Sequence, residues 1–430
     1  MNVKLRKQEF PSVGEVVYQA VLTNGMKLVV IPKHEYQEVY GIITTRFGSV
    51  DTMFTDYQGE VYNYPAGIAH FLEHKLFEDS QGKDILQKFS IMGAESNAFT
   101  GYTRTSYLFS TTNQNQVKSC LDLLLEIVEN LSVTEESIAR ESEITGQEID
   151  MYKDQPDDRL FYQTLANLYP HTPLAQDIAG SRDSIKLIGI EELKENFNHF
   201  YQPANMVLVL VGKIDPEEIF KYLNKKEHFK VDKGVNLVHH KKIALYPVVR
   251  TDSMRMEIAN PKLAIGLRGK DLVEANEMLR YKTILKILFT MMFGWTSQRF
   301  QRLYESGKID HSLTLEVEVE EAFHFVILTM DVEEPVSLSH ALRSAIRNFA
   351  SDPDVTEEHL DIVKSEMFGD FLHSLNSLDF IATEYNPYLE RENLFDIPLI
   401  LQNIRLKDVL EVGQSFIDNC DMIDFTIFPK

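Results

Sequence analysis

The stretch AHFLEHKLFE, residues 69–78, sets two histidines and a glutamate close together in an otherwise apolar segment. If that segment is helical, His70 and His74 stand one turn apart on the same face. Two imidazoles so placed can share a single ion, and histidine nitrogen is a preferred ligand of Zn2+. Glu73 adjoins His74, so its carboxylate points toward the same ion without having to bind it. A water activated there needs a base to take its proton, and Glu73 has the reach. The pattern is the H-E-x-x-H logic of zinc proteases written in reverse, H-x-x-E-H. A solvated helix face with bunched polar residues gives the same string, so a third ligand is needed to separate the two readings.

A second helix supplies candidates. In ARESEITGQEIDMYKDQPDD, Glu141 and Glu148 share one face and flank an apolar stripe containing Ile144. On a helix facing the core, two carboxylates in line need a compensating partner, because unpaired buried acids are costly. A zinc ion with its histidines is such a partner. The other histidines lack that context: His239-His240 reads as a solvated pair, and His34, His171, His199 and His228 have no partner at ligand spacing.

The surrounding sequence predicts the elements that bring these helices together. VVYQAVLTNGMKLVVIPKH (16–34) reads as a hairpin turning at Asn24-Gly25, followed by an apolar strand within 39–52. Residues 66–78 have helical periodicity, with Ile68, Phe71, Leu72, Leu76 and Phe77 on a shared side. AESNAFTGYTRTSYLFSTT (94–112) is rich in Thr, Tyr and Phe and reads as paired strands. Thr134 is placed to cap the helix that carries Glu141 and Glu148.

The second half repeats this order of elements. Its last helix and strand, RLKDVLEVGQSFIDNCDMIDFTIF, parallel EELKENFNHFYQPANMVLVLVG at the end of the first half. Such a long period fits a duplicated domain, not a solenoid. Strands clustered before helices predict an α+β fold of two homologous domains, each a mainly antiparallel sheet with helices on one face. The expected division is 1–215, a polar Lys-rich connecting region at 216–243, and 244–430. Trp295 and the Met291-Met292 pair are expected in the second core.

Bulk properties narrow the function classes. A chain of 430 residues has material for two cores. The formal charge of −22 argues against a nucleic-acid partner, which would need clustered Lys and Arg. No uninterrupted apolar window of about 18 residues predicts a membrane span. The N-terminal residues lack the apolar run of a secretory signal, and two widely separated cysteines point to a reducing, cytoplasmic setting.

The segments HFLEHKLFE, SNAFTGYTRTSY, ESEITGQEIDMYKDQPD and YQPANMVLVLVG together resemble the pitrilysin/insulinase family of inverted-motif zinc peptidases. The resemblance is closest to its two-domain members, which are similar to the mitochondrial processing peptidase. It implies His70, His74 and Glu148 as ligands of one Zn2+, and Glu73 as general base. Glu141 would support the site without ligating metal. Asn97 and Ala98 match the sheet edge where such enzymes pair an extended peptide substrate as an added strand. The resemblance further implies a chamber that forms when two such chains face each other.

The second half departs from that pattern. Self-sufficient members carry an Arg and, seven positions on, a Tyr that grip the substrate. In FQRLYESGKIDHSLTLEV, Tyr304 stands at the Arg position and His311 at the Tyr position, with Arg302 out of register. A tyrosine cannot replace a guanidinium as a charged, forked donor. The helix matching the motif helix offers only KTILKILFT. The family contains bacterial two-gene pairs in which one chain carries zinc and the other the Arg/Tyr pair. The expectation is therefore the zinc-bearing subunit of a heterodimeric endopeptidase for short or unfolded peptides. The alternatives are a non-catalytic scaffold, like the core subunits of respiratory complexes, and a self-sufficient homodimer.

Overall fold

The computed structural model describes residues 4–56, 58–79, 82–225, 239–240, 243–385 and 392–430. The strands of the first half are β1 (Arg6–Phe10), β2 (Glu15–Val21), β3 (Lys27–Pro32), β4 (Val39–Thr45), β5 (Met53–Thr55), β6 (Val61–Asn63), β7 (Ala94–Thr100), β8 (Thr105–Thr111) and β9 (Met206–Gly212). After β10 (His239–His240), the second half contributes β11 (Thr251–Met256), β12 (Lys262–Arg268), β13 (Thr314–Val319), β14 (His324–Asp331) and β15 (Asp421–Pro429).

Two main sheets result, one per compact unit. The first runs β1-β2-β3-β9-β4-β8-β7 and the second β11-β15-β12-β14-β13. Within the first, only β3 and β9 are parallel; within the second, only β11 and β15. The run β3-β9-β4-β8-β7 therefore has the same order and directions as the whole second sheet. This is the duplication expected from the repeated element order.

The expected hairpin is present: β2 and β3 pair from Tyr18↔Val30 to Val21↔Lys27. Its turn relies on Gly25 at φ +92° and on Asn24 Oδ1, which accepts the Met26 N–H at 3.0 Å. Glycine and asparagine are the residues that tolerate and stabilise such a reversal.

Alternate residues of the central strands face the principal core. Leu28, Val30, Val39, Ile43, Leu208 and Leu210 join Phe71, Leu72 and Leu76 in one apolar cluster of the first unit. Most helices lie on that side, as expected, yet the opposite side is also covered. Every residue of β9 is buried, because the Leu378–Glu384 helix, from the second half of the sequence, packs on β4 and β9. The second unit holds the reciprocal element. The Pro156–Leu168 helix, from the first half, packs on β12 and β15. Gly266 permits that approach, since a Cβ there would lie 2.9 Å from atoms of both Thr164 and Leu168. Each unit thus takes one helix from the other half of the chain.

Within the stretch 216–243, residues 226–238 and 241–242 lie outside the described residues. Its start is the Pro216–Asn224 helix, with Ile219 and Leu223 buried in the first core. In the second core Met291 and Met292 are fully buried as expected, but Trp295 is 62% exposed. The indole N–H of Trp295 donates to the Glu366 carboxylate at the surface, so that donor finds its partner outside the core.

The motif helix spans Ile68–Leu76 and starts without a side-chain cap. Gly67 precedes it at φ +91°, and a Cβ there would lie 2.4 Å from the Ala179 carbonyl oxygen. Gly180, at φ +80°, faces the Ala66 carbonyl equally closely, and Ser184 Oγ donates to that same oxygen at 2.8 Å. Gly67→Ala should therefore cost about 2–4 kcal/mol, from the left-handed backbone and the displaced carbonyl together. Denaturant unfolding of metal-free protein measures it; a loss below about 0.5 kcal/mol would contradict the close approach.

Candidate metal centre

The motif helix buries Ile68, Ala69, Phe71, Leu72 and Leu76 against the first core. That orientation turns His70 and His74 away from the sheet, where their rings lie 4.5 Å apart between centroids. The second contributor is the long helix, Glu135–Lys153. Thr134 caps it as expected: the Ser137 N–H donates to Thr134 Oγ1 at 3.1 Å, and Ser137 Oγ accepts from the Thr134 N–H at 3.1 Å. Its buried stripe is Ile138, Glu141, Thr145 and Ile149. Ile144 is 49% exposed, so the expectation that it lies in a core-facing stripe is corrected. Two carboxylates seven apart do share a face with apolar residues, but that stripe runs through Thr145 and Ile149.

His70, His74 and Glu148 converge, with one ligand atom of each within 4.8 Å of the others. His70 Nε2 lies 3.7 Å from Glu148 Oε1, and His74 Nε2 lies 3.8 Å from Glu148 Oε2. These separations are too long for hydrogen bonds. They suit a shared ion, since two ligands each about 2.0–2.2 Å from a tetrahedral zinc lie about 3.4 Å apart. The His70 Nδ1 atom is buried without a hydrogen-bond partner, an arrangement that normally needs an explanation.

Glu141 does not join the three. Its Oε1 accepts from His74 Nδ1 at 2.8 Å, and Thr145 Oγ1 lies 3.4 Å away. With the proton on Nδ1, the His74 Nε2 lone pair faces Glu148, which is how a carboxylate orients a metal-binding imidazole. Burial, which disfavours the charged form, lowers the His70 pKa to about 4, and the neighbouring His74 adds to that. His70 is thus held as the neutral imidazole, the form able to ligate a metal. Burial acts on His74 in the same direction, but the hydrogen bond and charge of Glu141 outweigh it and raise the His74 pKa.

Glu73 is 6% exposed on the inner side of the motif helix. Burial raises its pKa to about 6, while a hydrogen bond from Thr100 Oγ1 at 2.6 Å acts the other way. A carboxylate tuned toward neutrality is suited to taking and returning a proton near pH 7. Thr100 lies on β7, the outer strand of the sheet, and its contact fixes where the Glu73 carboxylate points. Asn97 and Ala98 lie on the same strand. Asn97 is exposed, and its Oδ1 accepts the Ala98 N–H at 2.9 Å. Thr100 was not singled out in the sequence. Its only cue is position, a hydroxyl three residues after Asn97 on the strand expected to form a sheet edge.

Three carboxylates, of Glu73, Glu141 and Glu148, thus surround two imidazoles. Such a concentration of acids in a partly buried site calls for a cation. The donor set of two histidines and one carboxylate is that of a catalytic zinc site that keeps a position open. The residues present fit a zinc ion.

Three comparisons bear on this reading. Residues 59–182 match the family model described as insulinase (peptidase family M16), and residues 188–367 match peptidase M16 inactive domain. YmfH of Bacillus subtilis, described as an uncharacterized zinc protease, is 34% identical over 427 residues, covering 98% of this chain and 99% of that protein. A putative M16-like peptidase from Alicyclobacillus acidocaldarius superposes with a TM-score of 0.88 at 26% identity, covering 100% of this chain and 99% of that one. The periplasmic protease PqqL of Escherichia coli shares the fold at a TM-score of 0.69 and 18% identity, and there 98% of this chain corresponds to 48% of that chain. With a relative this similar along its whole length and both family models matched in order, the chain belongs to the insulinase family of peptidases, M16.

Proposed function

We propose that this chain is the zinc-bearing subunit of a metalloendopeptidase that cleaves short or unfolded peptides. The observation that carries the reading is the meeting of His70, His74 and Glu148 from two helices distant in sequence, with Glu73 beside them. His70, His74 and Glu148 would hold one Zn2+, which when bound supplies Lewis acidity toward a peptide carbonyl and toward water. Glu73 takes the proton of the attacking water and passes it to the leaving amine. Glu141 keeps His74 in the ligating tautomer, and Thr100 keeps the Glu73 carboxylate aimed.

The peptide would bind by strand addition at the outer edge of β7. Among the described residues no strand pairs on that side. The Ala98 N–H is held by the Asn97 side chain, so substrate pairing there would begin with Asn97 turning away. Backbone pairing of this kind predicts loose sequence preference.

The active assembly in this proposal is a heterodimer with a related chain that carries the Arg/Tyr pair. Tyr304 and His311 are bonded to each other at 2.9 Å, and Arg302 Nε donates to the Gln298 carbonyl of its own helix at 3.2 Å. Tyr304 and His311 are thus engaged with each other, and neither of the two positions carries a guanidinium. That PqqL is about twice as long as this chain supports a working unit built from two such lengths. A cytoplasmic setting agrees with two unbridged cysteines, and among the described residues no helix is long and apolar enough to cross a membrane.

Metal analysis of the purified chain, followed by hydrolysis of an unstructured peptide with and without the partner, tests the reading. About one zinc per chain is expected, with activity appearing on addition of the partner. Absence of zinc would favour the scaffold, and full activity without the partner would favour the homodimer.

A further inference from the structure

Lys75 directly follows the second histidine and has no solvent exposure. Lysine is almost never fully buried unless paired. Its Nζ lies 2.7 Å from Glu78 Oε2, one turn on, and 3.5 Å from the Ser137 carbonyl oxygen in the first turn of the long helix. The other Glu78 oxygen, Oε1, accepts from Arg140 Nη2 at 2.9 Å. These contacts therefore run from the end of the motif helix to the start of the long helix. The residue after Arg140 is Glu141, which holds His74, and two turns further on is Glu148.

An apolar residue at position 75 would fill the same space without an ion to desolvate. A buried pair is seldom the most stable solution, and its best-attested use is to fix register. Register matters here, because a slip of one residue along a helix rotates each side chain by about 100° and shifts it by about 1.5 Å. Glu148 would then leave the histidines.

We propose that Lys75 is a positioning residue: its buried pair with Glu78, shared with Ser137 and Arg140, locks the long helix in register so that Glu141 and Glu148 meet His74 and His70. This deepens the zinc reading above and rests on it. The device acts before any metal arrives, and it places the second helix more than it stabilises the unit.

The test is the double variant Lys75→Met/Glu78→Gln, which removes both charges together and leaves no buried ion unpaired. Glu78→Gln retains an acceptor for Arg140. The metal-free variant should melt within a few degrees of the parent. Its zinc affinity, by competition with a chelator, should fall about 10–100-fold, and its cobalt-substituted visible spectrum should change. Lys75→Arg, which keeps a cation with donors for Glu78 and Ser137, should stay within about threefold of the parent. A folded double variant with zinc affinity within about twofold and an unchanged cobalt spectrum would overturn the positioning role. Parent protein that binds no zinc would overturn the zinc reading itself, so the two failures are distinguishable.

Discussion

Glu73→Gln should retain its zinc and lose hydrolysis by about 10²–10⁴ in kcat, measured with the partner present. The amide has the size and shape of the carboxylate, and the Thr100 hydroxyl can still donate to its carbonyl oxygen, so the side chain should keep its place. None of the three converging groups is altered, because Glu73 is not among them. What disappears is the ability to take a proton. A thousandfold loss corresponds to about 4 kcal/mol of barrier, more than a displaced hydrogen bond alone accounts for. Metal analysis beside single-turnover kinetics separates the alternatives. Zinc lost with activity would make Glu73 a ligand or a prop. Zinc and activity both kept would place the base elsewhere.

The two helices of this site differ in how far the sequence reveals them. His70, Glu73 and His74 lie within one turn of each other, so helical geometry alone relates them. The place of Glu148 depends on how two remote helices cross, and no periodicity within either contains that. Resemblance to the family supplied it. Ile144 shows the limit from the other side. A stripe of mixed apolar and acidic residues does not say which edge faces inward, and the helix buries Thr145 instead. Thr100 and the partners of Lys75 could not be read from the sequence for the same reason, since the Thr100–Glu73 and Lys75–Ser137 contacts each join two elements. A lysine inside an apolar run was nevertheless a signal, as it conflicts with the buried pattern around it.

The duplicated, mainly antiparallel sheets follow closely from the repeated order of strands and helices; the single parallel pair in each, made by the returning last strand, does not. Nor does the exchange of helices. DDRLFYQTLANLY reads as a helix wherever it docks, and its true seat is on β12 and β15, strands that come much later in the chain. Gly266, a glycine inside an apolar strand, is the one local trace of that docking, because such positions often mark a close backbone approach.

Glu148→Ala should lower zinc affinity by at least a hundredfold and reduce hydrolysis in proportion to the zinc lost, while leaving the metal-free protein about as stable as the parent. The first part follows from removing one of three ligands. The second comes from the electrostatics of the side chains themselves. Glu148 is partly exposed and, without an ion, makes no contact with His70 or His74 shorter than 3.7 Å. It also acts on Glu73 as a like charge, one of the causes of the raised pKa there. Taking it away relieves that repulsion and gives up its attraction to His74, two effects of opposite sign on the metal-free protein. Added zinc should then separate the two proteins: at a hundred times its dissociation constant, a ligand bound only by the native state stabilises by about 2.7 kcal/mol. Parent protein should gain that much in melting experiments, and Glu148→Ala little at the same zinc concentration. A variant that melts early without zinc would mean that Glu148 serves the fold. A variant that gains as much from zinc as the parent would mean that the ion is held by other residues, and the meeting of these two helices would need another cause.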